Sequence, residues 1–483
     1  MAAHKKTAAN QGELRVRMYR VGFGDFFLLT VPTDEGPQHI LIDCGVTSGR
    51  TGKGDIGTIK AAVAHMAEET KKKLALIIVT HRHQDHIIGF SRSAEIFQDF
   101  QVGALWMSVW ETEYDPNEPK ARKKKSLAAT IQEELTAVAA GMQQHLAMAG
   151  SDSPETAAIV AMLENATGID QAEFAAAGAT KKTGTGGGTN AASLRFLKEG
   201  LGIEPEYYAK GDTPKVPPVL AKAGLTAEIL GPPPVDRFDF LKLMDLKKNV
   251  GQFLGEANDG SGAKFDPFGP QCCGDATSYP PQAFQEWTRA SKNAPHTALE
   301  AAIQAAQPSL LFTAAEVLDD VLNNQSLVVL FTFNGKKLLL AGDAQGGNWE
   351  YWMFGGTPTN APSASDVQSA SKAILEHLDF YKMGHHGSTN ATPISAVEVM
   401  DGDFATMCST QEESFGKVEN QSEVPRVPLL EALGKKSKIV RSDQIAVTVA
   451  GSEADAADGA PKKIPTPSRG RFEKGSIYID YFF

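Results

Sequence analysis

Leu74-Ala75-Leu76-Ile77-Ile78-Val79-Thr80-His81-Arg82-His83-Gln84-Asp85-His86 is the stretch on which the reading of this chain turns. Its first half is a continuous apolar run, the pattern of a strand buried on both faces. Its second half sets three imidazoles and a carboxylate just past the strand's end, where sheets commonly present functional groups. A lone His in a loop is ordinarily solvent-facing or a cap. The full H-x-H-x-D-H spacing says more, because alternate side chains can turn toward two neighbouring points and feed two metal ions a few Å apart.

Two later strands end the same way. Lys337 to Leu340 runs into Gly342-Asp343, and Leu378 to Met383 runs into Gly384-His385-His386-Gly387-Ser388. Imidazole and carboxylate together suit zinc, manganese or iron. A second Asp, here Asp343, can bridge the pair of ions that two-metal hydrolysis uses to hold a hydroxide.

Around these ends the chain reads as two β-rich halves. Leu14 to Val21 alternates apolar and polar residues, Phe26–Val31 and His39–Ile42 follow as strands, and residues 57–70 read as a helix with Ile59, Ala62, Val63 and Met66 on one face. Residues 86–99 look helical and 102–110 strand-like. In the second half, Leu327–Phe333, Asn334-Gly335 and Lys337–Leu340 form a hairpin signal. A helix over 369–377, strands at 405–408, 438–441 and 445–449, and a closing strand within 476–483 complete it. The expected units are therefore 1–110, the first β-rich half; 111–310, a helical and loop-rich insertion with a helix over 126–148 and a strand at 225–230; and 311–483, the second half.

The chain has 483 residues, 42% apolar and 22% charged, which excludes wholesale disorder and collagen-like or coiled-coil structure. The net charge of −11 argues against extended nucleic-acid or anionic-lipid binding, although Lys120, Arg122, Lys123, Lys124 and Lys125 make a local basic run. Apolar runs fall short of a bilayer span, the N-terminal stretch lacks an apolar signal core, and four Cys make no disulfide framework. The expectation is a cytoplasmic protein with no membrane association. Cys44 and Cys408 read as buried small apolar residues, and Cys272-Cys273 suits neither redox chemistry nor a zinc ribbon. Gly184 to Thr189 reads as a loop, since it lacks the phosphate-loop Lys. Trp106, Trp110, Trp349 and Trp352 read as core, the last two being the ones placed to wall a pocket.

The ligand-bearing motifs carry a family resemblance. Val21-Gly22-Phe23-Gly24-Asp25, Leu41-Ile42-Asp43-Cys44-Gly45, Thr80 to His86, Asn323-Asn324-Gln325-Ser326-Leu327-Val328, Leu339 to Ala344 and Tyr381 to Ser388 occur in the order of the metallo-β-lactamase superfamily. Within it, V-G-x-G-D and H-H-G-S resemble the catalytic module of the ComEC/Rec2 competence proteins. The resemblance covers about residues 14–110 and 311–450. It implies an α/β, four-layer αββα sandwich with a long mid-chain insertion, and a site for Zn²⁺ or Mn²⁺, two ions. His81 and His83 match ligands of one ion; Asp85, His86 and His385 match the other; Asp343 matches the bridging carboxylate. Asp43 matches a carboxylate that orients ligand histidines. Asn324, Ser388 and His386 would reach substrate oxygens, and Asp85 and His386 could move protons.

Three features depart from the family pattern. Phe23 stands where the family has Gln, residues between His86 and Asp343 exceed what the fold requires, and no His there has the context of a further first-site ligand. His145 and His296 are candidates, and that site could equally be completed by water or Asn324. The activity implied is a phosphodiesterase or nuclease acting on nucleic acid or nucleotides. The same metal pair would also serve a small-ester hydrolase for a lactone, thioester, β-lactam or phosphocholine ester. A third expectation is a defence or toxin-like component gated by a protein partner.

Overall fold

The computed structural model describes residues 12–47, 56–112, 154–168, 189–241, 319–356, 363–411, 414, 423–443 and 466–483. The basic run at 120–125, the expected helix over 126–148 and strand at 445–449, His145, His296, Cys272-Cys273 and Gly184 to Gly188 lie outside them.

The strands are β1 (Arg15–Tyr19), β2 (Phe27–Val31), β3 (Gln38–Ile42), β4 (Lys73–Leu74), β5 (Leu76–Val79), β6 (Gln101–Val102), β7 (Leu105–Ser108) and β8 (Glu206–Tyr208). They continue with β9 (Thr226–Gly231), β10 (Val328–Phe333), β11 (Lys336–Leu340), β12 (Phe380–Lys382), β13 (Phe404–Cys408), β14 (Ser437–Arg441), β15 (Arg471–Lys474) and β16 (Tyr478–Phe482). An eight-stranded mixed sheet runs β15-β16-β1-β2-β3-β5-β7-β8, a six-stranded mixed sheet runs β14-β13-β12-β11-β10-β9, and β4 pairs with β6. Both large sheets take an edge strand from residues 206–231.

Alternation along the strands fixes the layering, because successive side chains leave opposite faces. Ile40 and Ile42 of β3, and Leu76 and Ile78 of β5, share one core with Leu338 and Leu340 of β11 and Phe380 of β12. The two sheets therefore pack face to face. Leu41, Ile77 and Val79 point the other way, into helices α1 (Ile59–Thr70) and α2 (Gln84–Arg92). Leu339 and Tyr381 likewise point outward, under helices Gly346–Phe354, Ser369–Leu375, Ile394–Val399 and Val427–Gly434. Trp106, Trp110, Trp349 and Trp352 are all buried, and the latter pair packs in this outer core.

Local sequence explains the elements. Thr58 Oγ1 caps α1 by accepting from Ala61 N at 3.2 Å, and its apolar stripe is the expected one. Asn334 and Gly335 take φ of 50° and 78°, the left-handed pair that a tight β10–β11 turn needs. β1 differs from its half-exposed expectation, because β16 pairs beside it and closes its polar face. Arg17 donates through Nε and Nη2 to Asp480 at 2.7 and 2.7 Å, with its guanidinium 3.5 Å above the Tyr478 ring. Among the described residues, no helix is long and apolar enough to cross a membrane.

Candidate metal centre

β3 runs parallel to β5 and β11 runs parallel to β12, so Asp43, His81, Asp343 and His385–His386 each follow a carboxyl-terminal strand end. Such ends are where open sheets take ligands. Leu327 N donates to Thr80 O at 2.9 Å and ties the second sheet's approach to the loop after β5. Two more backbone bonds lace the glycine-rich loops to α2, and a third joins the loops to each other. Asp25 N donates to Asp85 O at 2.8 Å, Cys44 N to His86 O at 2.7 Å, and Gly45 N to Asp25 O at 2.9 Å. Gly45 permits this approach, since a Cβ there would stand 2.1 Å from the Asp85 carbonyl carbon and 2.2 Å from His86 N.

Two histidines have their ring orientation set from behind. His86 Nδ1 donates to Asp43 Oδ2 at 2.8 Å, while Asp43 also accepts from Thr80 N at 2.8 Å and Thr80 Oγ1 at 2.7 Å. His86 Nε2 is left facing Asp343 Oδ2 at 3.0 Å and Asp85 Oδ1 at 3.8 Å. His386 Nδ1 donates to Ser409 O at 2.7 Å, and its Nε2 faces Asp85 Oδ2 at 3.0 Å and Asp343 Oδ2 at 3.3 Å. A carbonyl only accepts, so Nδ1 of His386 carries a proton. Asp43, His385 and His386 hold positive φ of 54°, 40° and 51°, a strained backbone that the surrounding contacts maintain.

Donor atoms of Asp85, His86, Asp343 and His386 lie within 4.8 Å of one another, and all four residues are buried. Asp25, Asp43 and His86 form a second, overlapping group. Both groups could hold a metal ion. In the second, the Lys382 ammonium already neutralises Asp25, and His86 Nδ1 is committed to Asp43. The first presents imidazole Nε2 atoms and carboxylates to a common point, which is the donor chemistry of a divalent cation.

The electrostatics divide the histidines. Burial alone would discharge His86, but Asp343, Asp85, Asp43 and Asp25 outweigh it and hold its pKa well above the ordinary value. His386 is pushed up to about 10 in the same way, against burial, chiefly by Asp343. Burial opposes the ionisation of Asp85, yet His86 and His386 bring its pKa down to about 2. Asp343 is held well below its usual range, against burial, by His86, His386 and Lys382. His81 and His83 go the other way. Burial, with the neighbouring His86, keeps His81 neutral, and burial brings His83 to about 4. The Cys44 and Cys408 thiols are buried, and burial pushes Cys408 up to about 12.

The rings of His81 and His83 stand with centroids 4.7 Å apart, and His81 and His86 4.2 Å apart. Between them in sequence, Arg82 turns away and donates to both oxygens of Glu111 at 2.7 and 2.7 Å. Of the paired histidines after β12, His386 joins Asp85 and Asp343. The His385 ring turns to Ser388 Oγ at 2.6 Å and Asn390 Oδ1 at 3.0 Å. Asn324 is buried, its Oδ1 accepting from Asn348 N at 3.0 Å and its Nδ2 donating to Leu241 O at 3.3 Å. Phe23 lays its ring with the centroid 4.2 Å from that of His386.

Four residues of this neighbourhood carried no role in the sequence reading. Asp25 closes the V-G-F-G-D turn. Lys382 is a charge inside an apolar strand, buried against Asp25, with Nζ donating to Gly342 O at 2.9 Å. Ser409 contributes only its carbonyl, which no motif reveals. Asp319 lies in helical residues 319–324, one turn before Asn323, and that spacing was its only signal. No protein-family model and no curated protein matches this chain.

Proposed function

We propose that the chain is a metal-dependent hydrolase built on the αββα metallo-β-lactamase fold, akin to the ComEC/Rec2 catalytic module, and that it cleaves phosphodiesters of nucleic acid or nucleotides. The observation that carries this reading is the meeting of His86 Nε2 and His386 Nε2 with Asp85 and Asp343, at 3.0 Å for the closest pair on each ring. Three chain segments remote in sequence supply these groups. The phosphodiester preference rests on the V-G-x-G-D and H-H-G-S motifs. Asp25 of the first bonds the backbone of Asp85, and the second supplies His386.

Divalent cations, Zn²⁺ or Mn²⁺, supply Lewis acidity and hydroxide at neutral pH when bound in such a site. The chain's own groups do the rest. Asp43 fixes the tautomer of His86, and Ser409 O fixes that of His386. Asp85 is placed to accept a proton from the attacking water; His386, its Nδ1–H spent on Ser409 O and its Nε2 facing the cluster, would hold the cation, and the leaving oxygen would take its proton from solvent. Phe23, itself buried, packs its ring against that of His386.

The test is turnover of single-stranded DNA, RNA and bis-p-nitrophenyl phosphate by the metal-loaded protein, against a panel of lactones and thioesters. Turnover of any phosphodiester, lost in Asp343→Asn, is the expected result; no turnover of any of them would remove the reading. A second reading, a small-ester hydrolase, draws on the burial of the cluster: His86 is 0% exposed, and Asp85, Asp343 and His386 are each 1% exposed. A strong preference for the carbonyl esters would favour it.

A further inference from the structure

We propose that Lys382 is a positioning residue of the candidate metal centre: its ammonium ties the segment that presents Asp343 to the loop that holds Asp85, and so sets how the two carboxylates stand to each other. The inference rests on the metal-centre reading above and adds to it a residue that binds no cation itself.

The argument begins with a charge inside a sheet. Lys382 ends β12, pairs with Leu340 of β11 and is 3% exposed. A charge so deep is costly unless it is paired and hydrogen-bonded. Its pairing with Asp25 meets that cost, yet two neutral residues of similar size are often as stable or more so, and the pair therefore calls for a role besides stability.

Three segments meet on this one ammonium. Lys382 Nζ donates to Gly342 O at 2.9 Å and lies 3.5 Å from Asp343 Oδ1, so it holds both the backbone before Asp343 and the carboxylate itself. It also pairs with Asp25 Oδ2, which belongs to the loop after β1 in the other sheet. Asp25 N donates to Asp85 O at 2.8 Å, and Asp25 O accepts from Gly45 N at 2.9 Å. A path thus runs from Asp343 through Lys382 and Asp25 to the backbone of Asp85, from one sheet to the other. The same tie decides which oxygen Asp343 offers. Oδ1 accepts from His385 N at 3.1 Å and faces Lys382. Oδ2 is left toward His86 Nε2 at 3.0 Å and His386 Nε2 at 3.3 Å, so Asp343 gives the cluster one oxygen, aimed between two rings.

Charge and position predict opposite results. If Lys382 acts only through its charge, its removal should tighten cation binding, and removal of the Lys382 and Asp25 charges together should leave binding about unchanged. If it positions the carboxylates, both changes should weaken binding. Metal-stripped full-length Lys382→Met, and Lys382→Met combined with Asp25→Asn, are titrated with Zn²⁺ or Mn²⁺ by isothermal calorimetry, with circular dichroism confirming the fold. The visible bands of the Co²⁺-loaded proteins are compared alongside. Both variants should bind at least about tenfold more weakly than wild type, the least that loss of an orienting partner typically costs, and their Co²⁺ bands should shift. Where Lys382→Met does not fold, the double variant, which strands no charge, decides. Wild-type or tighter affinity in the folded double variant, or Co²⁺ bands that match those of wild type, overturns the proposal and leaves the metal-centre reading standing. No cation uptake by wild type overturns both.

Discussion

The Lys382 ammonium is buried against the Asp25 carboxylate, with side-chain exposures of 4% and 1%, and its Nζ lies 3.5 Å from Asp343 Oδ1. A fixed cation is thus built in beneath the His/Asp cluster. Removing one member of a buried pair strands the other charge, which costs about 3–5 kcal/mol, whereas neutralising both is far cheaper. Lys382→Met should therefore lower unfolding free energy by about that amount, and Lys382→Met with Asp25→Asn should recover most of it. Chemical denaturation of the two single variants and the double variant measures the coupling. Additive losses would show that the pair does not act as a unit.

Without a cation, the protons on His86 and His386 balance Asp85 and Asp343. Both imidazoles have folded pKa values raised above the ordinary value of about 6.5, His386 to about 10. A raised pKa adds stability that is complete below the unfolded value and is lost as pH climbs through the folded one. The melting temperature of metal-free protein should therefore fall between about pH 6.5 and 10. Over the same window the stabilisation by added Zn²⁺ or Mn²⁺ should grow, because a cation no longer has protons to displace. In His386→Gln the alkaline decline should be shallower. Metal-free melting temperatures that stay level across this range, with a constant increment on adding metal, would contradict the charge balance.

Much of this His/Asp cluster was legible because its side chains follow strand ends whose burial is written in continuous apolar runs. Leu76–Val79 and Leu338–Ala341 announce both a strand and the place where it stops, and His81 and Asp343 stand just past those places. What sequence could not resolve is direction. His385 and His386 are adjacent in one motif, and only their left-handed backbone decides that His386 turns to Asp85 while His385 turns to Ser388. Asn324 has the residue type of a substrate contact, yet both its polar atoms are spent on Asn348 and Leu241. The Arg17–Asp480 pair was illegible for another reason. It joins residues at opposite ends of the chain, and local alternation in β1 carries no information about β16.

Asp43 offers a clean separation of charge from backbone. Its φ of 54° is one that Asn also tolerates, so Asp43→Asn should keep the local conformation. The amide, however, replaces one acceptor oxygen by a donor, while His86 Nδ1, Thr80 N and Thr80 Oγ1 all require acceptors there. Losing such an orienting partner typically costs about 10–100-fold in metal affinity. Isothermal titration of the stripped variant with Zn²⁺ or Mn²⁺ should show a fall of that size with little change in the far-ultraviolet dichroism. Wild-type affinity in this variant would mean that the Asp43–His86 bond has no part in holding a cation.

The close approach at Gly45 makes the last case. A methyl group there would stand 2.1 Å from Asp85 C and 2.3 Å from Asp85 O, both backbone atoms that cannot rotate aside. Relief would have to come from moving the N-terminal turn of α2, the segment that carries Asp85 and His86. Gly45→Ala should therefore lose cation binding by the cluster and melt at lower temperature. Gly36→Ala, at a turn with open space for the added methyl group, should leave cation binding unchanged. Its own φ of 94° will cost some stability, so the comparison is read in bound metal, where the two variants should part. Equal metal content in Gly45→Ala and wild type would show that the glycine-rich loop does not set the position of the Asp85–His86 turn.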